Sequence, residues 1–136
     1  MTPDLDARGL SRRSMAAVEA GDRDGWLALF ADDAVVEDPI GPSFFDPQGT
    51  GHHGKEAIAH FYDTAIAPNQ RIEFAIRESY QCANEVANVG TIRITLSTGQ
   101  VSTVDGVYCY RVGPDGLLES LRAFWEQDRI VFSEPE

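Results

Sequence analysis

From Arg71 onward apolar and polar positions alternate, with Ile72, Phe74 and Ile76 set between Arg71, Glu73 and Arg77. That is the period of a strand with one wet face. The habit continues through 89–96, 101–112 and 117–132, so four long strands are predicted. The connections carry turn chemistry: Ala83-Asn84, then Ser97-Thr98-Gly99, then Gly113-Pro114-Asp115-Gly116. They predict a meander of antiparallel hairpins. The first half of the chain has a helical period instead. Ile58, Phe61, Tyr62, Ala65 and Ile66 stand at i, i+3, i+4, i+7 and i+8 of a helix over 55–67 that Pro68 ends. Residues 4–20 place Leu5, Ala17 and Val18 among charged residues and stop at Gly21, a first helix with a glycine terminator. Asp22 or Asp24 caps a short second helix holding Trp26, Leu27, Leu29 and Phe30. Residues 34–38 (AVVED) then read as a short strand that Pro39 ends, and the density of proline and glycine between Pro39 and Gly54 marks a loop. Three helices followed by one antiparallel sheet make an α+β fold. If the sheet is strongly curved, it forms a cone whose apolar interior suits a small hydrophobic ligand.

A length of 136 residues points to one domain spanning 1–136, against a prior of roughly 150 residues per domain. The 43% hydrophobic and 24% charged content is that of an ordinary globular chain, and no apolar run approaches the roughly 18 residues of a membrane span. Eleven Lys and Arg against 22 Asp and Glu leave a net charge of -11, which repels phosphate backbones and anionic membranes. Nucleic acid and membrane are therefore not expected as partners. The start, MTPDLDARGL, has neither a signal-peptide h-region nor the basic amphipathic character of a transit peptide, so the expected location is the cytoplasm. Cys82 and Cys109 lack CxxC spacing and read as reduced thiols.

Two patterns imitate cofactor sites. The run from Gly49 to Gly54 matches GxGxxG, but it follows the loop SFFDPQ and no βαβ unit comes after it, so no nucleotide cofactor is expected. His52, His53 and His60 lack a carboxylate at ligand spacing and read as solvated residues, so no metal is expected either.

The segments AGDRDGWLALFADDAVVEDPIG (20–41), GKEAIAHFY (54–62) and ESLRAFWEQ (119–127) occur in an order that resembles the ketosteroid isomerase family. That family lies within the cone-shaped nuclear transport factor 2-like and SnoaL-like domains, and the resemblance extends over nearly the whole chain. It implies the fold already expected, a homodimer paired through the outer sheet face, and a steroid-like hydrophobic ligand. The aspartate of the family's EDP(V/F/I)G motif is its general base, which implies that role for Asp38. Asp38 shares a strand face with Val36 while Glu37 shares the other with Val35, so one acid faces the pocket. A carboxylate in an apolar cavity has its ionised form destabilised, which raises its proton affinity toward that needed to deprotonate carbon beside a carbonyl. The bland alternative has Asp38 merely starting the Asp-Pro turn.

Proton removal leaves an enolate, and its oxygen needs donors. The family supplies a first-helix tyrosine and a protonated late-strand aspartic acid. Here those positions align with Ser14 and Tyr108. Ser14 is a shorter hydroxyl; Tyr108 is either the enolate's phenolic donor or a core aromatic. Tyr62 matches a tyrosine that supports the missing phenol, so its hydroxyl bonds Ser14, points at ligand, or is satisfied in the core. Phe61 and Trp125 are the remaining residues expected to bind substrate, and Phe44 and Phe45 are placed to fold over the mouth as a lid. Asp105 stands three residues from Tyr108 and faces the other way unless Gly106 hosts a bulge. Three functions follow: a steroid Δ5-3-ketoisomerase, a steroid-binding protein without turnover, or a cyclase or epoxide hydrolase. The hydrolase would draw on Asp38 with Arg93 or Arg122.

Overall fold

The computed structural model describes residues 6–134. Its elements are α1 (Ala7–Ala20), α2 (Arg23–Leu27), β1 (Phe30–Glu37), β2 (His52–His53), α3 (Gly54–Phe61), β3 (Arg71–Cys82), β4 (Glu85–Thr95), β5 (Val101–Val112), β6 (Leu118–Phe124) and β7 (Val131–Ser133). Both early helices begin on an aspartate that satisfies an orphan amide: Asp6 accepts from Gly9 N–H at 2.9 Å, and Asp22 accepts from Gly25 N–H at 3.0 Å. Gly21 ends α1 in the left-handed region at φ 70°, as its sequence position implies. Asp4 and Leu5, read into the first helix, lie outside the described residues.

The strand order is β2-β1-β6-β5-β4-β3, with β7 also on β5. The strands β3 to β6 form the expected antiparallel meander, while β1 runs parallel to β6. Helix α1 packs on β3, β4 and β5, and α3 packs on β1, so the helices close over the concave side of a curved sheet. Trp26, Phe30, Ile58, Val86 and Leu118 are fully buried beneath them. Among the described residues, no helix is long and apolar enough to cross a membrane.

Four departures from the sequence reading have local causes. Strand β1 begins at Phe30 and not at Ala34, so Phe30 leaves the expected second helix. Its register against β6 shifts between Phe30 and Val35, with Asp32 and Asp33 exposed in that interval, and this irregularity breaks the alternation by which a strand is recognised. Helix α3 stops at Phe61 and a π-helical turn, Tyr62–Ile66, carries the apolar period onward. The expected loop contains the short strand β2, which pairs His52 with Val36 and His53 with Val35.

The last long strand is in fact two. On β5, Val107 pairs with Phe124 of β6, whereas Val101 to Thr103 pair with β7. Between them the chain steps off the edge through a short 3-10 turn at Gln127–Arg129. Gly106 lies at that step. A Cβ there would sit 2.6 Å from the Phe124 carbonyl oxygen, so only a residue without a side chain fits. The register of β4 with β5 runs unbroken past it, so the bulge that would have turned Asp105 inward does not form.

Candidate active site

Between the helices and the concave face lies a cavity of about 260 Å³, just below the range typical of small-molecule sites. Its walls are mostly aliphatic and aromatic side chains, and Asp38 is the one charged residue among its described lining. The face argument for β1 explains this placement: Val36 is buried, Glu37 turns outward to Arg122 at 3.1 Å, and Asp38 follows Val36 inward. Its carboxylate does not cap the Asp-Pro turn. Asp38 Oδ1 accepts instead from Trp125 Nε1–H at 2.7 Å, Trp125 being the residue that follows β6, the strand beside β1. Burial pushes the Asp38 carboxyl above the usual carboxylate range, and the Trp125 bond pulls the other way. Trp125 thus both lines the cavity and holds the acid.

Tyr108 lies on the same wall, buried, and its hydroxyl has no hydrogen-bond partner among the described residues. That oxygen lies beside Gly106, where a Cβ would approach it to 3.1 Å. A buried phenol without a partner is costly to keep, so a polar ligand atom is the natural complement. Burial first, and the nearby Asp38 charge second, push its ionisation far above that of free tyrosine, so it is a proton-bearing donor at any ordinary pH.

The first-helix position works differently from the sequence reading. Ser14 is buried and lines the cavity, but Trp26 Nε1–H donates to its Oγ at 3.0 Å, and the Tyr110 phenol lies close enough to feel its hydroxyl. Tyr110 was not anticipated. It stands two residues from Tyr108 and so on the same face, and it lines the cavity beside Ser14 with its own ionisation driven up by burial. The signal was the i, i+2 spacing of two tyrosines on one strand.

Tyr62 is a correction. It is buried but absent from the described lining; its ring packs on Trp26 at 5.5 Å, and its phenol lies in the field of Asp22, Arg23 and Asp63. The bond to Ser14, one of the three roles open to the Tyr62 hydroxyl, is made by Trp26. Phe61 does line the cavity, edge-on to Phe45 at 6.2 Å, and Phe45 meets Phe44 at 6.4 Å. Phe44 is 73% exposed, at the cavity mouth, and its backbone N–H donates to Gln127 Oε1 at 3.3 Å. The loop carrying these rings is held by Asp46, which accepts from Gly49 and Gly51 amides at 3.2 and 2.7 Å.

His52 also departs from expectation: it is packed on the Phe61 ring at 4.8 Å, and partial burial lowers its proton affinity. His53 Nε2–H donates to the Thr50 carbonyl at 2.7 Å, and His60 is exposed. Asp105 is exposed on the outer face with Thr91 and Arg77, Arg93 pairs with Glu73 at 3.0 Å, and Arg122 with Glu37. Among the described residues, neither Arg93 nor Arg122 lines the cavity with Asp38.

The crowding at Ser14 has a measurable consequence. A phenol introduced by Ser14→Tyr would enter a corner already filled by Trp26 and Tyr110, and overpacking of this kind costs about 1–3 kcal/mol. Thermal unfolding is expected to show a lowered midpoint for Ser14→Tyr, largely recovered when Tyr110→Ser is added to make room.

A family model described as the SnoaL-like domain matches residues 11–128. The steroid Delta-isomerase of Nocardioides simplex is 30% identical over 121 residues, covering 88% of this chain and 89% of its own. The Δ5-3-ketosteroid isomerase of Mycobacterium sp. superposes with a TM-score of 0.88 at 43% identity, over 93% of this chain and 98% of its own. RV0760c of Mycobacterium tuberculosis superposes at 0.90 and 40% identity over 98% and 100%, and in its complex with estradiol-17beta-hemisuccinate at 0.86 and 41% over 97% and 100%. With the match running from α1 past β6, the chain belongs to the SnoaL-like domain family, and ketosteroid isomerases are among its structural neighbours.

Proposed function

We propose that this protein is a steroid Δ-isomerase acting on a hydrophobic cyclic ketone. The observation that supports it most is the pairing, in one apolar cavity, of a carboxylate of raised proton affinity with a phenol whose hydroxyl has no partner among the described residues. Asp38 takes the proton from the carbon between the ketone and the double bond. The electron pair moves onto the ketone oxygen as a dienolate, and Asp38 returns the proton to the far end of that system. Tyr108 donates its hydroxyl hydrogen to the oxygen as negative charge grows there, in walls that exclude water. Trp125 keeps Asp38 aimed through both transfers. The ketosteroid isomerases among its relatives, and the steroid complex of a neighbour, favour this substrate class.

The experiment is a spectrophotometric assay of a Δ5-3-ketosteroid, whose conjugated product absorbs, beside Asp38→Asn. Turnover that disappears in the variant supports the reading. One observation favours a binding protein instead: the Ser14 hydroxyl is already engaged by the Trp26 indole N–H. Steroid binding by both proteins with turnover by neither would select that reading.

The acid's setting also sets a pH dependence. Trp125 Nε1–H favours the ionised carboxylate, so Trp125→Phe is expected to raise the Asp38 pKa further. The acid limb of the kcat/KM profile, where the base becomes protonated and activity falls, should move to higher pH in that variant; an unmoved limb would separate it from Asp38.

Pairing into a homodimer through the outer sheet face is likewise proposed, on the resemblance. That face presents half-exposed Phe124 among ion pairs such as Arg111 with Glu119 at 3.2 Å. Sedimentation at micromolar concentration should give twice the chain mass, and a clean monomer would discard the pairing.

A further inference from the structure

The cavity has a second polar end. Along β5 the inward row includes Ser102, Val104, Tyr108 and Tyr110. The Tyr108 hydroxyl leans back to Gly106, four residues from Ser102, and at about 3.3 Å per residue that separates the two by roughly 13 Å along the cavity. The wall between is apolar, formed by Val104 with Ile92 and Ile94 of β4. Ser102 is only 9% exposed, lines the cavity, and its hydroxyl has no hydrogen-bond partner among the described residues. A serine in a row of aliphatic and aromatic residues gains nothing from packing that alanine or valine would not give.

Asn69 lines the same end. The Gln70 amide bonds the Thr95 carbonyl at 2.8 Å, and Thr95 pairs with Val101, the neighbour of Ser102. The Asn69 amide is fixed because Nδ2 donates to the Ala65 and Ile66 carbonyls at 2.8 and 3.1 Å. Its Oδ1 is left as an acceptor.

We propose that Ser102 and Asn69 form a distal subsite for an alcohol hydroxyl on the ligand, which accepts from the Ser102 Oγ–H and donates to Asn69 Oδ1. The preferred ligand is then a rigid, elongated alicyclic ketone with a hydroxyl on the order of 10 Å from the ketone oxygen. The proposal rests on the isomerase reading in one respect: the ketone is taken to lie at the Tyr108 end.

Calorimetric titration with two non-isomerising Δ4-3-ketosteroids, one bearing a 17β-hydroxyl and one the 17-deoxy analogue, tests it. Wild type should bind the hydroxylated ligand about tenfold tighter, the value of one or two neutral hydrogen bonds. Ser102→Ala should remove most of that ratio and Ser102→Val should invert it. Because the comparison is a ratio of two ligands on one protein, general packing losses cancel. Asn69→Ala should also narrow the ratio; its melting curve is recorded because the amide ties down the π-helical turn. A ratio near one in wild type, or one unchanged by either Ser102 variant, overturns the subsite, as does failure of both ligands to bind. The two readings fail separately. Asp38-dependent turnover without the ligand preference removes the subsite alone, and a Ser102-dependent preference without turnover removes the isomerase alone.

Discussion

Asp38→Asn is expected to lower turnover of a Δ5-3-ketosteroid by about 10³–10⁴-fold, the upper range for loss of a general base, while changing ligand affinity little. The amide is isosteric and its carbonyl oxygen still accepts from Trp125 Nε1–H. The same variant should be more stable than wild type at neutral pH. The Asp38 pKa is raised in the folded state by burial, so the folded protein favours the protonated acid. Its contribution to stability is therefore fully present below the unfolded-state pKa and is lost as pH rises through the folded one. Well above the unfolded-state pKa, wild type bears the cost of burying this carboxyl, as a charge or by taking up a proton, and asparagine does not; at strongly acid pH, where Asp38 is protonated in both states, the difference should close. Melting temperatures of the two proteins across pH test this, and a variant less stable at neutral pH would contradict the direction. A residue whose removal stabilises the fold while abolishing turnover is there for chemistry.

Tyr108→Phe should give the second-largest effect, a loss in kcat of about 10²–10³-fold with KM nearly unchanged, as for removal of one donor to a developing oxyanion. The hydroxyl bonds nothing among the described residues, so deleting it breaks no hydrogen bond there and relieves an unsatisfied buried oxygen. The melting temperature should stay level or rise. A fall in stability without a loss in kcat would make Tyr108 a core aromatic, whereas loss of kcat alone assigns its hydroxyl to the ligand.

Much of this arrangement is legible in the bare chain because it follows from periods. The meander of β3 to β6 is written in alternation, and the same parity argument sends Asp38 inward and Glu37 outward. Parity equally puts Tyr108 and Tyr110 on one face, yet an alignment that considers one position at a time passes over the second phenol. What periods do not carry is side-chain reach. Trp26, a core residue of a short helix, takes the Ser14 hydroxyl because its indole N–H projects across the corner, and Tyr62 packs on the Trp26 ring outside the described lining. Nor does the alternation from Leu117 to Phe132 reveal the break at Trp125, because both halves pair with the same strand and keep the same pattern. The shift in β1 was hidden for the opposite reason, since the exposed pair Asp32-Asp33 erases the pattern where the strand continues.

The break between β6 and β7 bears on how long a ligand stays. Ile130 and Phe132 line the cavity, and Phe132 is 54% exposed, so the last strand forms part of the rim through which a bound molecule must leave. That strand is tied to β5 through three residue pairs, against a run of eleven joining β4 to β5. Short, exposed pairings open at a small fraction of the global unfolding free energy. Residence time is thereby tied to opening of the short β5–β7 pairing, and chemistry at Asp38 and dissociation past Phe132 are governed by different parts of the fold.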